Sequence, residues 1–320
     1  MSAQPKNLSR SSLLIGSLLL ALAVESAHAK ILNPPYLQAV SMTGVCVMVE
    51  CDTTNAASVA YGPTPAYGRT ATTAFYLPTS NTTFVHRVWL TGLEPNSTCH
   101  YRASHGDDQS ADASFQTAPP SGTPFRFAFM TDFQSVDPVQ AAIVGQLIET
   151  HRPRLCVYGG DMANRGRQYE LWKEHFLDKQ RDLIARVPFF GAVGNHDGWV
   201  ENTKAFLQAP DSGSHTQAYY SVDYSDVHFL ILNTEVSSDT NSPQYAFAQA
   251  DLSACTQKWK IVVFHRSAYV GGGHGEHAAD ARPLQQKRAT CAQVAFRIPV
   301  VLIQTRCPES GPSWPGTPPR

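Results

Sequence analysis

Residues 155–161 read LCVYGGD, an apolar run of strand length that ends in two glycines and an aspartate. Three further runs have the same form: FRFAFMTD at 125–132, FFGAVGN at 189–195 and IVVFH at 261–265. Each run is short enough for a buried strand and ends at a polar side chain. Between them, residues 169–186 carry apolar side chains at helical spacing. Strands that alternate with helices predict a layered α/β domain for this half of the chain.

The polar side chains at the ends of these strands form a candidate metal site. Ligands of open α/β sheets gather beyond the carboxyl ends of the strands, so we expect Asp132, Asp161, Asn195 and His265 to converge there. Carboxylate and amide oxygens suit hard cations, and an imidazole adds affinity for zinc, iron or manganese. Two such ions can hold both the attacking and the leaving oxygen of a phosphoryl displacement.

His196 directly follows the candidate ligand Asn195 and is predicted to point at a substrate instead of at the metal. Asp197 is expected to hydrogen-bond this imidazole and to keep it oriented and partly protonated. A histidine in that position can hold a phosphate group or deliver a proton to a leaving group.

Each candidate ligand also has an ordinary structural interpretation. Asp132 and Asp161 could cap the helices that follow them, Asn195 could be a turn residue, and His265 could be a core histidine with a satisfied partner. All of these interpretations would have to hold at once, at the ends of successive strands. The joint pattern therefore favours a functional site.

The first part of the chain has a different pattern, with short alternating strands separated by glycine, proline and asparagine turns. The spacing predicts an all-β sandwich over residues 30–120. APPSGTP at 118–124 is typical of a stiff linker, which sets the boundary to the α/β domain at 125–284. A chain of 320 residues can form two such domains, each with its own core.

Residues 1–29 combine a basic start, an apolar run and a small-x-small end at Ala27-His28-Ala29, which predicts a signal peptide. No other run approaches transmembrane length, so we expect a secreted or periplasmic protein without stable membrane insertion. The net charge of −1 offers no basic stripe for nucleic acid. Seven cysteines without close pairing predict no dense disulfide framework, and their odd number leaves at least one thiol unpaired.

The second domain resembles the calcineurin-like metallophosphoesterases, and with the sandwich the chain is similar to their purple acid phosphatase branch. The tetrad Gly-Asn-His-Asp at 194–197 is the most specific match. Gly160-Asp161 through Gly166 and VVFH at 262–265 match two further metal-binding blocks. Segments of the sandwich resemble the family's fibronectin-III-like module: PPYL at 34–37, VAYG at 59–62, the run from Leu90 to Pro95, and FQTAP at 115–119.

The resemblance implies a secreted acid phosphatase-like enzyme with two divalent or trivalent ions, of iron, zinc or manganese. It implies Asp161 as the bridging ligand, Asp132 on one metal, Asn195 and His265 on the other, and His196 as acid or substrate clamp. The implied reaction is hydrolysis of a small phosphate ester by a metal-bound hydroxide.

The sequence departs from the family pattern in three places. Asn164 stands where the purple enzymes have an iron-binding tyrosine, so no purple absorption band is expected. Gln134 stands where other branches have a histidine ligand, and its amide oxygen is a weaker ligand. The family's late Gly-His-x-His motif does not occur after His277. The loop GGGHGEH at 271–277 could supply replacement histidines, or it could be an ordinary surface loop.

The tail after Leu284 loses the family pattern, although residues 294–302 keep an apolar stretch. We hypothesise that residues 285–320 follow a loss of the natural reading frame and leave the α/β domain incomplete at its C-terminus. Two functions stay open at this stage. One is an active exported phosphoesterase, and the other is an exported relative that is catalytically impaired or inactive.

Overall fold

The computed structural model describes residues 29–134 and 150–266, and the backbone of a strand at 300–304. The first region is built from nine short strands: β1 (Tyr36–Gln38), β2 (Gly44–Cys51), β3 (Ser58–Gly62), β4 (Arg69–Thr72), β5 (Phe75–Pro78), β6 (Phe84–Thr91), β7 (Thr98–His105), β8 (Asp108–Gln109) and β9 (Ala113–Gln116). Five of them form an antiparallel sheet in the order β4-β3-β7-β8, with β9 also paired to β7. Strands β1, β2, β6 and β5 form a second antiparallel array.

The two arrays pack face to face as a sandwich. Val45, Val47 and Val49 alternate along β2 and are fully buried against Val59 and Phe115 of the facing sheet. Alternate side chains of a strand point to opposite faces, so Cys46 and Met48 join a second apolar cluster on the other side of β2, which is buried on both faces. The two-sheet arrangement of the first region therefore agrees with its turn spacing, and the likeness to a fibronectin-III module stays a resemblance.

The second region contains strands and helices in alternation. Its strands are β10 (Phe127–Met130), β11 (Leu155–Tyr158), β12 (Phe189–Gly191), β13 (Tyr220–Tyr224), β14 (Val227–Ile231), β15 (Trp259–Phe264) and β16 (Val300–Gln304). Its helices are α1 (Tyr169–Trp172), which continues through a π-helical segment (Lys173–Leu177) into α2 (Asp178–Ile184), then α3 (Glu201–Phe206) and α4 (Pro243–Ala254). Strands β10, β11 and β12 are parallel, as are β14, β15 and β16, while β13 is antiparallel to β14.

Alternate residues of β11 show how the second region is layered. Leu155 and Val157 face the core shared with β14 and β15, whereas Cys156 and Tyr158 face the helix that contains Trp172. On the outer side of β14, Leu230 packs with residues of α4. Two sheets thus lie between two helical layers, which realises the predicted layered α/β architecture with a pair of sheets.

The two regions do not have separate cores, contrary to the expectation from chain length. β1 pairs in parallel with β12 at Gln38 and Phe189, so one seven-stranded sheet runs through both regions in the order β10-β11-β12-β1-β2-β6-β5. The main apolar cluster likewise joins Val47 of the sandwich to Phe190 and Phe229 of the second region. A sheet edge that would be exposed in either region alone is thereby covered by the other.

Several sequence-based expectations concern residues outside the described ranges. They are the signal peptide up to residue 28, the loop at 271–277 and most of the tail at 285–320. Within the tail, the apolar stretch contributes β16, which extends the second sheet beside β15. Among the described residues no helix is both long and apolar enough to cross a bilayer. The described cysteines are free thiols, and Cys156 is buried in β11 as a small apolar side chain.

Candidate metal centre

Three predicted metal ligands meet at one edge of the second region. Asp132 follows β10, Asp161 follows β11 and His265 follows β15. Each offers one ligand atom, and these atoms all lie within 4.8 Å of one another. All three residues are buried, at 8 %, 1 % and 8 % exposure. Two carboxylates and an imidazole that converge away from bulk water form a donor set suited to zinc, iron or manganese.

Both aspartates leave their strands through an unusual backbone conformation. Asp132 has φ 61° and Asp161 has φ 55°, in the left-handed region that non-glycine residues rarely adopt. The Asp132 N–H donates to the Gly160 carbonyl at 3.1 Å, which joins the two turns. Such backbone strain persists only where surrounding contacts hold it, and it is concentrated at functional sites. The turns therefore aim both carboxylates at the same point.

The tetrad at 194–197 folds directly onto Asp161. The His196 N–H donates to Asp161 Oδ1 at 2.9 Å. A Cβ atom on Gly194 would lie 2.1 Å from that same carboxylate oxygen, so only glycine fits here. The glycine of the tetrad thus allows the backbone to approach the buried acid.

His265 is oriented by the backbone before it meets the carboxylates. Its Nδ1 hydrogen-bonds the Gly159 carbonyl at 2.9 Å, and its Nε2 lies 3.1 Å from Asp161 Oδ2. Burial alone would lower the pKa of His265, but the hydrogen bond and charge of Asp161 outweigh it and raise the pKa to about 9. A hydrogen bond from Nδ1–H to a backbone carbonyl commonly leaves Nε2 of a histidine directed at a cation.

Asn195, the fourth predicted ligand, has a different environment. It lies in the same turn as Gly194 but is exposed, whereas Asp132, Asp161 and His265 are buried. The structure brings the three buried residues together, and the role of Asn195 as a ligand stays a prediction.

His196 lies at the rim of this site. Its Nδ1 is 2.8 Å from the Asn164 carbonyl oxygen and 3.1 Å from Asn164 Oδ1. Its Nε2 lies 4.0 Å from Asp161 Oδ2, and 38 % of its side chain is exposed. Asn164 therefore fixes the ring so that Nε2 faces the acidic cluster and solvent. Because the sequence marks Asn164 only as a replaced tyrosine, its contact with His196 was not predicted.

The prediction that Asp197 hydrogen-bonds the His196 imidazole is wrong. Asp197 instead accepts from the Ala163 N–H at 2.9 Å through Oδ1 and from the Gly194 N–H at 3.0 Å through Oδ2. Burial, followed by the nearby charge of Asp161, raises the pKa of Asp197 to about 7. An aspartate carboxylate in a tight turn accepts from the nearest backbone donors. Asp197 therefore joins the loop after β11, which contains Ala163, to the loop after β12, which contains Gly194, and it does not orient the histidine. We call these two segments the two site loops.

A family model described as "Calcineurin-like phosphoesterase" matches residues 125–295. The match includes all five candidate site residues and continues past Leu284, where we expected the family pattern to end.

Curated relatives and solved structures agree with this match. The chain is 29 % identical to "Purple acid phosphatase 21" of Arabidopsis thaliana, over 58 % of this chain and 44 % of the relative. It is 26 % identical to "Purple acid phosphatase 22" of the same plant, over 62 % and 48 %. The chain thus spans about half the length of these curated relatives.

Two solved structures share the fold at lower identity. A purple acid phosphatase isolated from yellow lupin (Lupinus luteus) seeds superposes with a TM-score of 0.65 at 19 % identity, covering 79 % of this chain and 54 % of that one. The structure of PhoD superposes with a TM-score of 0.62 at 14 % identity, covering 86 % and 72 %.

Proposed function

Because this chain belongs to the calcineurin-like phosphoesterase family, we propose that it hydrolyses phosphate esters at a metal centre built on Asp132, Asp161 and His265. The observation that carries the proposal is the convergence of these three buried donors within 4.8 Å at the carboxyl ends of their strands. The family likeness to purple acid phosphatases implies a dinuclear centre, and the donor set fits such ions in chemistry and burial.

The orientation of Asp161 supports its assignment as the bridging ligand. Its Oδ2 is directed at His265 Nε2, while its Oδ1 is held by the His196 N–H. We assign Asp132 to one metal, and His265 with Asn195 to the other. When bound, two ions would polarise the phosphoryl group and make water a stronger nucleophile near neutral pH.

His196 would contact the substrate. Asn164 accepts the Nδ1 proton, so Nε2 is directed toward the acidic cluster from the solvent side. As imidazolium, a ring held in this way can donate from Nε2 to a phosphoryl oxygen and can deliver that proton to the leaving oxygen. The half-exposed position allows a small ester to reach it without a large movement of the loop.

We further propose that the substrate is a small phosphate ester. We also propose that the protein is exported from the cytoplasm, as the predicted signal peptide indicates. Metal content and hydrolysis of a chromogenic phosphomonoester test the function together. Two ions per chain, turnover, and loss of turnover in His196→Ala are expected. His100→Ala, at a histidine of the sandwich, is the control and is expected to keep activity. A metal-loaded chain that hydrolyses neither mono- nor diesters would favour the inactive relative instead.

A further inference from the structure

We propose that the N-terminal sandwich positions the phosphoesterase site through Asn202, a residue with no role in metal or substrate binding. Asn202 lies in α3, is fully buried, and contacts both regions of the molecule. The inference rests on the proposed function for its kinetic consequence, but its structural consequence can be measured without turnover.

Asn202 uses its whole amide to join the two regions. Its Oδ1 accepts from the Ser80 N–H at 2.8 Å, and its Nδ2 donates to Ser80 Oγ at 2.9 Å and to the Gly166 carbonyl at 2.9 Å. Ser80 belongs to the turn between β5 and β6, and its hydroxyl also donates to the Arg167 carbonyl at 3.1 Å. We call Ser80, Asn202 and Gly166 the Asn202 bridge.

The bridge ends on the backbone that carries His196. The Gly166 N–H donates to the His196 carbonyl at 2.8 Å. A Cβ atom on Gly166 would lie 1.6 Å from the Asp197 carbonyl oxygen, so the two loops touch with no room for a side chain. The same loop contains Asn164, which holds the His196 ring. A shift of Gly166 would therefore displace both the histidine and the group that orients it.

The sandwich also binds the C-terminal end of α3, so the placement of the helix depends on the sandwich at both ends. Arg87 of β6, 1 % exposed, donates through Nη2 to the carbonyls of Lys204 and Ala205 at 2.8 and 2.9 Å. Gln38 of β1 donates to the Phe206 carbonyl at 2.6 Å. Cationic and amide donors at the last turn satisfy carbonyls that lack partners within the helix.

A third contact joins the helix directly to the tetrad. The buried Thr203 hydroxyl donates to the Asp197 carbonyl at 3.1 Å. Adjacent residues 202 and 203 therefore hold the two site loops from one short helix, and the sandwich fixes that helix at both ends. A short isolated helix is marginal in water, so its geometry depends on these contacts.

Hydrogen exchange of the full chain, with and without added Zn²⁺, tests this positioning role. Asn202→Leu removes every bond of the bridge amide, and Ser80→Ala removes only the hydroxyl contacts from the exposed sandwich side. We expect exchange in peptides covering 161–168 and 194–200 to rise by about tenfold in Asn202→Leu and about threefold in Ser80→Ala, as local opening becomes easier. Ser80→Thr keeps a hydroxyl at this position and should show the wild-type level of exchange in these peptides.

The matched control is Ser121→Ala. Ser121 is also an exposed serine whose hydroxyl bonds the second region, but it lies in the linker and contacts Asp226 at the opposite end of the second sheet. This variant should leave exchange of the site peptides unchanged. Unaltered exchange in both Asn202→Leu and Ser80→Ala, or an equal rise across the whole chain, would overturn the positioning role.

Kinetics separate this inference from the proposed function. With a chromogenic phosphomonoester, Asn202→Leu should lower kcat by about tenfold with little change in KM, and the loss should shrink in a His196→Ala background. An additive loss in the double variant would contradict action through His196. If the wild-type chain shows no turnover while the site peptides still lose protection, the proposed function fails and the positioning role stands.

Discussion

Two buried histidines of the second region, His228 and His265, lie beside aspartates but meet them in different ways. His228 has both ring nitrogens 2.7 Å from a carboxylate, with Nδ1 at Asp223 and Nε2 at Asp251. His265 bonds a backbone carbonyl through Nδ1 and turns Nε2 toward Asp161. The residue types are the same, but the direction of their ligand atoms differs.

That direction separates a structural ion cluster from a metal site. Burial would lower the pKa of His228, but its hydrogen bonds to Asp251 and Asp223 and their charges raise it. A protonated His228 thus neutralises its neighbours within the fold, and Ser221 adds a bond to Asp251 at 2.6 Å. In the candidate metal centre, by contrast, one ligand atom from each of the two carboxylates and the imidazole lies within 4.8 Å of the others. A cation bound among these three atoms would balance the charge of the carboxylates.

The largest expected effect is that of Asp161→Asn on the metal centre. An amide in place of the proposed bridging carboxylate should weaken metal binding, so kcat/KM for a phosphomonoester should fall about 10³-fold, roughly 4 kcal/mol. Metal content per chain should fall in parallel. Asp251→Asn is the matched substitution at the other histidine, and it should keep both ions. Equal metal loss in the two variants would erase the distinction between the clusters.

The second prediction concerns stability at the His228 cluster. His228→Gln should lower the free energy of unfolding by about 2 to 3 kcal/mol, because two carboxylates lose a charged hydrogen-bond donor. Urea denaturation measures this loss, and metal content should remain that of the wild type. A variant as stable as the wild type would show that the cluster contributes no net stability.

The pH dependence of stability should follow the raised pKa of His228. Because the pKa of His228 is higher in the folded than in the unfolded chain, its stabilising contribution is complete below the unfolded pKa of about 6.5. That contribution is lost as the pH rises through the folded pKa. The difference in unfolding free energy between wild type and His228→Gln should therefore shrink as the pH increases above neutrality. A difference that is constant from acid to alkaline pH would contradict a protonated His228.

The smallest expected effect is at Asn164. Asn164→Ala removes the Oδ1 contact to His196 but keeps the shorter bond to the backbone carbonyl, so kcat should fall only about threefold. A loss of kcat as large as that of Asp161→Asn would place Asn164 in the metal centre itself.

The identity of residue 164 also has a spectroscopic consequence. An iron-loaded wild type should lack a purple absorption band, since Asn164 has no phenolate.

Strand predictions from the sequence are confirmed where a short apolar run ends at a turn. The apolar runs ending at Asp132, Asp161 and His265 are strands whose carboxyl ends meet at one edge. The helix predicted from Tyr169 is present to Ile184, although a π-helical segment interrupts it. Strand β13 and helices α3 and α4 were not predicted. Helix α3 is too short for a periodic signal to be distinguished from a loop.

Asn164, Asp197 and Asn202 mark the limit of sequence reasoning at the site. The sequence placed Asp197 next to His196, yet the carboxylate bonds two backbone amides instead. It marked Asn164 only as a missing tyrosine and gave no signal for Asn202. Contacts of these residues depend on how separate loops approach one another, and no spacing along the chain reports that approach.

The sequence by itself indicated the family, through the resemblance of its Gly-Asn-His-Asp tetrad and its Gly160-Asp161 block to metal-binding motifs. It also predicted the strands that end at Asp132, Asp161 and His265, because short apolar runs and the turns after them are local features of the chain. Only the tertiary structure decided that β1 continues the sheet beside β12 and that Asn164 orients His196. Only it showed that His265 lies with Asp132 and Asp161, whereas both ring nitrogens of His228 are taken up by carboxylates. Hydrogen-bond direction and strand pairing are set by the relative placement of distant segments, which depends on packing of the whole core.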